Sequence, residues 1–268
     1  MRKRYLCFVT LLSLMLLPTM TFALPDGGKD IDGHAGAPPD NDFVCTHCHR
    51  SFALNSGPGK LSITEVPEQY TPGERYTLTI NLSQTGQRRW GFEVTAIQPD
   101  LHGAGTFVLT DTVHTQLSRY RPFFQNYFQD YVKHTLAGTY NGTVNASPGW
   151  SVDWIAPPRG TKTMTFYGTG NAANGDAVGR SDGNLGDYIY TIVVASQEAP
   201  LPPLPGDFSS VTTPRDGVVN FTDFLLFARA FGTTSASLGW DVQFDLNGDN
   251  RVNFGDFLMF AAQFGKRV

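Results

Sequence analysis

The sequence predicts a mainly β protein, an antiparallel β-sandwich with a small irregular segment before it and a small α-helical unit after it. Three observations predict this. Charged residues are only 16% of the 268, while glycine occurs 28 times and proline 17, a balance that favours short strands and turns over long charged helices. Runs of β-branched and aromatic residues, separated by turn signals, recur across residues 60–195. Near the C-terminus a segment of helical periodicity occurs twice. The net charge is −4 with no basic stripe, which argues against nucleic acid as a partner.

In chain order, residues 1–23, MRKRYLCFVTLLSLMLLPTMTFA, read as a secretory signal peptide. Arg2, Lys3 and Arg4 form a basic head, an apolar run follows from Tyr5 to Leu17, and Thr21 and Ala23 are the small residues before a cleavage site. The apolar run is short for a membrane anchor, and no transmembrane segment is expected once the signal is cleaved. The mature chain is therefore expected to be exported, to a periplasm, a cell surface or the extracellular space. Cys7 leaves with the signal, and Cys45 and Cys48 remain. Residues 24–59 are rich in Gly, Pro and Asp and too few to build a core. Residues 60–195 hold the strand-like runs RYTLTINL, GFEVTAIQ, GTFVLTD, TYNGTV, SVDWIA, TMTFYGTG and DYIYTIVVA, a spacing that suits a sandwich. Residues 122–133, PFFQNYFQDYVK, read as either a helix or an aromatic-rich loop. Residues 196–206, SQEAPLPPLPG, form a stiff proline linker to the last part, 207–268.

That last part is duplicated. DGVVNFTDFLLFARAFG at 216–232 recurs as DNRVNFGDFLMFAAQFG at 249–265, displaced by 33 residues with 11 of 17 positions identical. Each copy ends in a helical pattern stopped by Gly. Within FDLNGDNRVNFGD, Asp245, Asn247, Asp249, Asn253 and Asp256 fall at positions 1, 3, 5, 9 and 12, and Arg251 at position 7 offers its carbonyl. By that spacing a 12-residue, EF-hand-like loop wraps calcium. Asn250 takes the place of the usual glycine, and asparagine also tolerates a left-handed backbone. The plainer alternative is a turn rich in Asp and Asn. In the first copy Asp216, Val218, Asn220 and Asp223 occupy the later positions, but Thr212 and Pro214 stand where acids are needed. Asp207 and Ser209 serve instead if five residues bulge out. Phe221, Phe224, Phe227 and Phe231, repeated as Phe254, Phe257, Phe260 and Phe264, are expected to pack the copies together. The paired loop-helix resembles a type I dockerin. That resemblance implies a calcium-binding module whose partner is a cohesin or another cell-surface scaffold.

Residues 44–50 read VCTHCHR. In C-x-x-C-H, two thiols at this spacing reach the two vinyl groups of haem and the next imidazole falls under the iron. Cys45 and Cys48 are thus expected to anchor haem c, with His49 as proximal ligand. The alternatives are a Cys45–Cys48 disulfide or redox pair, and a metal site of Cys45, Cys48, His49 and His47. For the second axial position His34 and His134 are the candidates. A lone histidine is more often a surface residue or a hydrogen-bonded core residue.

Several stretches then occur in order: GAPPDNDFVCTHCH, RRWGFEVTAI, AGTF, YVKHT, WSVDWIAPPRGTKTMTFYGTGNAANG and GDYIYT. Over about residues 34–195 they resemble the bacterial reeler-like domain, also called the choice-of-anchor V domain. The resemblance implies an exported reeler- or immunoglobulin-like sandwich, often with C-x-x-C-H just upstream and an attachment module downstream, and brings no known reaction. It also favours a hydrogen-bonding structural role for His134. Trp90, Trp150 and Trp154 are expected in the core, although an exposed Trp150 would offer a sugar platform. Residues 170–187 read as turns, with Asp176, Asp182 and Asp187 as an alternative calcium set.

No nucleophile-base set or carboxylate pair points to an enzyme. The expected function is a monohaem c-type protein for electron transfer or redox sensing, with a redox partner protein, attached by its tail to a surface or extracellular assembly. The alternative is a non-catalytic adhesion or scaffold module of a polysaccharide-degrading complex, with haem structural or absent.

Overall fold

The computed structural model describes residues 32–121, 125, 127–175 and 185–268. The expected signal segment, most of the 122–126 run, Asp176 and Asp182 lie outside them. The chain divides into two compact units, one ending at Glu198 and the other spanning Ala199–Val268.

The first unit is a β-sandwich of ten strands: β1 (Lys60–Thr64), β2 (Gln69–Tyr70), β3 (Arg75–Ser83), β4 (Arg89–Ile97), β5 (Thr106–Leu109), β6 (Thr115–Tyr120), β7 (Gln129–His134), β8 (Trp150–Ile155), β9 (Met164–Ala173) and β10 (Tyr188–Glu198). One sheet has the order β1-β3-β8-β5 and the other β2-β10-β9-β4-β7-β6. Pairing is antiparallel except for the short parallel match of β2 with β10. The alternation of strand residues builds the core. Leu78, Ile80 and Leu82 point inward from β3 and meet Val152, Trp154, Phe92, Val94 and Phe166 in one buried cluster. Trp90, Trp150 and Trp154 are all buried, and each indole N–H donates to a backbone carbonyl, of Thr143, Gly138 and Ala104 respectively. A buried indole needs such an acceptor. Trp150 is therefore a core residue and offers no sugar platform.

Two local expectations are corrected. Residues 129–133, read as part of a helix or loop, belong to β7, which pairs with both β4 and β6. Its polar residues Gln129 and Lys133 are buried along with Val132, so no polar-apolar alternation marks the strand. Residues 139–144, read as a strand, begin in a 3-10 turn at Ala137–Thr139. Tyr140 then takes φ 44° and Gly142 φ 97°, left-handed values that no strand accommodates.

β4 is buried on both faces. Trp90, Phe92, Val94 and Ala96 face the sandwich core, while Glu93 and Thr95 lie on the opposite face. That outer face is covered by the chain preceding β1, a strap whose contacts define the first candidate site.

The second unit holds α1 (Phe221–Ala230) and α2 (Phe254–Ala261), capped at their N-termini by Asn220 and Asn253. Phe208, Phe227, Phe244 and Phe260 form its core, and the rings of Phe227 and Phe260 stack 5.6 Å apart. The repeated phenylalanines do not all pack the copies together: Phe221 and Phe254 are each 62% exposed, and Phe231 and Phe264 are also exposed. Six residues separate Phe221 from Phe227, which is about 120° around a helix, and Phe231 lies past the end of α1.

Candidate functional site

The strap crosses three strands of the six-stranded sheet. Asp32 is buried against β6 and β7, where Ser118 Oγ donates to its Oδ2 (2.5 Å) and the Lys133 ammonium meets its Oδ1. The His34 backbone N–H donates to Glu93 Oε2 on β4 (2.6 Å). Ala35 bridges Val44, closing a loop, and within that loop Asp40 Oδ2 accepts from the Tyr131 hydroxyl on β7 (2.6 Å). Beneath the strap Glu93 Oε1, Asp40 Oδ1 and Thr169 Oγ1 are buried with no partner among the described residues. Burial pushes the Glu93 carboxyl well above the usual carboxylate range. Burial also raises Asp40 to about 6, against the opposing hydrogen bond from Tyr131.

The strap ends in the thiol-histidine motif. Residues Cys45–His47 form a 3-10 turn, closed by Cys48 N–H and His49 N–H donating to the Cys45 carbonyl (3.1 and 2.9 Å). Cys45 and Cys48 are both thiols. Burial, then the nearby Glu93, pushes the Cys45 thiol up, which makes it a poor nucleophile on its own. His49 Nδ1 lies 2.7 Å from Asp187 Oδ2, and Asp187 is buried at the entrance to β10. Asn171 on β9 places its amide 3.2 Å from His49 Nε2. A carboxylate on Nδ1 fixes the ring and directs Nε2 as the ligating nitrogen. This donor set, two thiols and one carboxylate-held imidazole, is compatible with a haem c.

His34 lies beside this turn, its ring 5.9 Å from that of His47 and 6.1 Å from Phe43. His134 is held elsewhere. It packs over Gly91, where a Cβ would stand 2.8 Å from its Cε1, and the Phe92 N–H donates to its Nδ1 (3.0 Å). Burial lowers its pKa to about 4, so the ring is neutral at neutral pH. Asp187, read as one of a possible calcium set, is engaged by His49 and by the Asn174 N–H.

The tail brings together the acids of each repeat. Carboxylate oxygens of Asp245, Asp249 and Asp256 lie within 4.8 Å of one another, and so do those of Asp207, Asp216 and Asp223. The two loops share most of their contacts, differing at the third position, where Asn247 N–H donates to Asp256 Oδ1 and Ser209 N–H to Gln243 Oε1. Asp245 Oδ2 accepts from Asn250 N–H (2.8 Å), and Asp207 Oδ2 accepts from Gly217 N–H (3.0 Å). Asn250 and Gly217 both have positive φ, 65° and 79°. Asp256 Oδ1 accepts from Leu246 N–H and Asp223 Oδ1 from Phe208 N–H, and Oδ2 of each closes the capping box with Asn253 N–H or Asn220 N–H. Asp207 thus corresponds to Asp245, with Ser209 opposite Asn247. Asn247 and Asn253 each place an amide against Asp249 Oδ2, and Asn220 does the same to Asp216 Oδ2. Arg251 and Val218 each form a β-bridge, with Thr234 and Arg267. Asp207 is 2% exposed and its Oδ1 has no partner among the described residues. Burial and the neighbouring Asp223 and Asp216 raise its pKa, as expected where like charges share a site with no counter-charge. Three convergent carboxylates with side-chain amides nearby form an oxygen-rich set suited to a hard cation.

The residues under the strap were not legible as a site. Glu93 and Thr95 lie in the run GFEVTAIQ, read only as a strand, and the buried strap turns their face into an interior. No helix among the described residues is long and apolar enough to cross a membrane.

No protein-family model and no curated protein matches the chain. Solved structures similar to it include the Reelin-N domain of F-spondin, 21% identical with a TM-score of 0.36, covering 58% of this chain and 97% of that one. Another is AvmM, described as catalysing macrocyclisation in alchivemycin A biosynthesis, 13% identical with a TM-score of 0.35, covering 57% and 94%. A third is the sixth cohesin of Acetivibrio cellulolyticus scaffoldin B in complex with a Cel5 dockerin mutant, 11% identical with a TM-score of 0.30, covering 50% and 98%. Likenesses at this level define neither family nor activity.

Proposed function

We propose that the protein is an exported, non-catalytic surface module. Its sandwich carries haem c on the strap, and its tail is a calcium-dependent tether for a cohesin or a comparable scaffold. The observation that carries this reading is the shared placement of the first and last acids in the two loops, with a buried carboxylate oxygen on Asp207 that has no partner among the described residues. In each loop three carboxylates converge, and a cation neutralises the repulsion that otherwise opposes folding there. The carbonyls of Val218 and Arg251 stand at position 7 of their loops. The exposed Phe221 and Phe254 at the starts of the two helices supply apolar surface for a partner.

On the strap, Cys45 and Cys48 would fix the haem, His49 would supply the proximal nitrogen and Asp187 would hold that ring in one orientation. When bound, haem supplies one-electron exchange, which suits a carrier or redox sensor with a partner protein. His34, whose ring lies 5.9 Å from that of His47 in the turn, would be nearer to the haem than His134, which is held over Gly91.

The test uses full-length protein made in an exporting host that matures c-type cytochromes. The expected product stains for haem after denaturation, shows a Soret band, is reduced reversibly, and has a tail transition that calcium raises and a chelator lowers. A haem-bearing product that no accessible potential reduces transfers the reading to the scaffold alternative, with the haem structural. A haem-free product with a calcium-dependent tail does the same, with haem absent. A tail indifferent to calcium overturns the tether.

A further inference from the structure

We propose that Lys133 and Asp32 become joined by an isopeptide bond, formed inside the chain beneath the strap, with Glu93 as the proton-transferring group.

Lys133 and Asp32 come from positions 101 residues apart, and their side chains are only 3% and 2% exposed where they meet. Glu93 faces Lys133 directly across the β4–β7 ladder, so the two side chains leave the sheet on the same face at neighbouring positions. The strap pins Glu93 from above, because its Oε2 accepts the N–H of His34, two residues from Asp32. Its Oε1 has no partner among the described residues. On the far side of Asp32, Ser118 Oγ donates to Oδ2. An amine, a carboxyl, a second carboxyl and a hydroxyl donor therefore converge in a site closed to water. Asp40 and Tyr131 are neighbours in the same layer.

A buried ion pair carries a large desolvation penalty, and each ion's charge is disfavoured there. For the bond to form, one proton passes from the Lys133 ammonium to the Asp32 carboxylate it meets, leaving an amine against a carboxylic acid. The Nζ lone pair then attacks Asp32 Cγ. Negative charge develops on Oδ2, where the Ser118 hydroxyl already donates. Glu93, opposite Lys133 in the ladder, takes a proton from the nitrogen through one oxygen and delivers one to the departing Oδ1 hydroxyl through the other. The Nζ–Cγ bond forms, the Cγ–Oδ1 bond breaks, one water leaves and Glu93 ends as it began. No oxidant or co-reactant is needed. Burial supplies the orientation and keeps the product from hydrolysis.

The experiment is intact mass spectrometry of the denatured full chain, made without haem maturation so that no haem mass intervenes. The expected wild-type mass is lower than that of the processed sequence by one water. Proteolysis should yield a branched peptide joining the Asp32 segment to the Lys133 segment. Glu93→Gln and Lys133→Arg should each restore the full mass, and Lys133→Arg retains a cation opposite Asp32. A full wild-type mass overturns the proposal. So does a loss of water that survives Lys133→Arg, since the Asp32-Gly33 pair can lose water by closing a succinimide on itself. The wild-type result decides the matter even where a variant folds poorly, and it is independent of whether haem or calcium binds.

Discussion

Under the strap, Asp32 lies against Lys133, Asp40 accepts from Tyr131 and Asp187 accepts from His49. In the tail, Asp207, Asp216 and Asp223 converge on one another, as do Asp245, Asp249 and Asp256. Both regions gather acids that water would otherwise solvate, and Asp207 and Asp256 are as buried as Asp32 or Asp187. On the strap side Lys133 meets Asp32 and His49 meets Asp187, counter-charges or donors from the same chain, while Asp40 Oδ1 and Glu93 Oε1 are buried without a partner among the described residues. The tail sets acid beside acid, and under the proposed function a calcium ion from outside would supply the counter-charge. The first region would then be permanent and the second conditional.

The largest expected effect separates the two directly. Calcium at 100 times its Kd stabilises a one-site fold by about 2.7 kcal/mol, and the tail carries two candidate loops. Calorimetry of the full chain should show a tail transition that collapses in chelator and a sandwich transition that does not move. A tail insensitive to chelation would erase the distinction.

Next comes pH, which acts on the strap side with two opposite signs. His134 falls from 6.5 to about 4 on folding, so the unfolded chain binds more protons between those values. Stability there rises with pH, by on the order of 3 kcal/mol at roughly 1.4 kcal/mol per unit. Asp40 rises from 3.8 to about 6; the folded chain binds more protons in that window, and its contribution is lost as pH rises through it. His134→Gln should leave the falling slope of Asp40 uncovered, and Asp40→Asn should steepen the rise from His134. Denaturant midpoints for the sandwich, measured from pH 3.5 to 7 (a range set roughly by these two groups), check both signs.

A smaller effect compares the two loops. With calcium, Asp207→Ala and Asp245→Ala should each lower the tail midpoint, by about 1–3 kcal/mol as for a lost charged partner. Without calcium, Asp207→Ala should raise it, because one of three converging carboxylates, and one of the two that are buried, is gone. The smallest is Asn250→Gly at φ 65°, expected to relieve a left-handed backbone by about 0.5 kcal/mol. Thermal melting of the calcium-loaded tail reads it.

Legibility followed sequence distance. The strands β3, β8, β9 and β10 announce themselves by alternation, because one face of each meets the core; β4 alternates in sequence although both its faces are buried. β7 does not, since Tyr131 and Lys133 on its outer face are as buried as Val132. Asp245, Asp249 and Asp256 stand at regular intervals in a short loop, and the structure gathers them. Asp207 was a conditional member of the first loop, because nine positions separate it from Asp216 where four separate Asp245 from Asp249. The Asp32–Lys133–Glu93 group was illegible: its members come from the strap, β7 and β4, and no local spacing relates them. The pairing of His49 with Asp187 spans 138 residues and was equally hidden.

The last strand has a mechanical consequence. The chain leaves the sandwich through β10, which pairs with β9 at nine successive positions from Tyr188 to Ser196 and then with β2 at Gln197 and Glu198. Tension applied along the axis of β10 would load these rungs in shear, all together, instead of peeling them one by one. Such a strand yields at a force set by the whole ladder, so rupture should come later than for a strand pulled from the sheet edge crosswise.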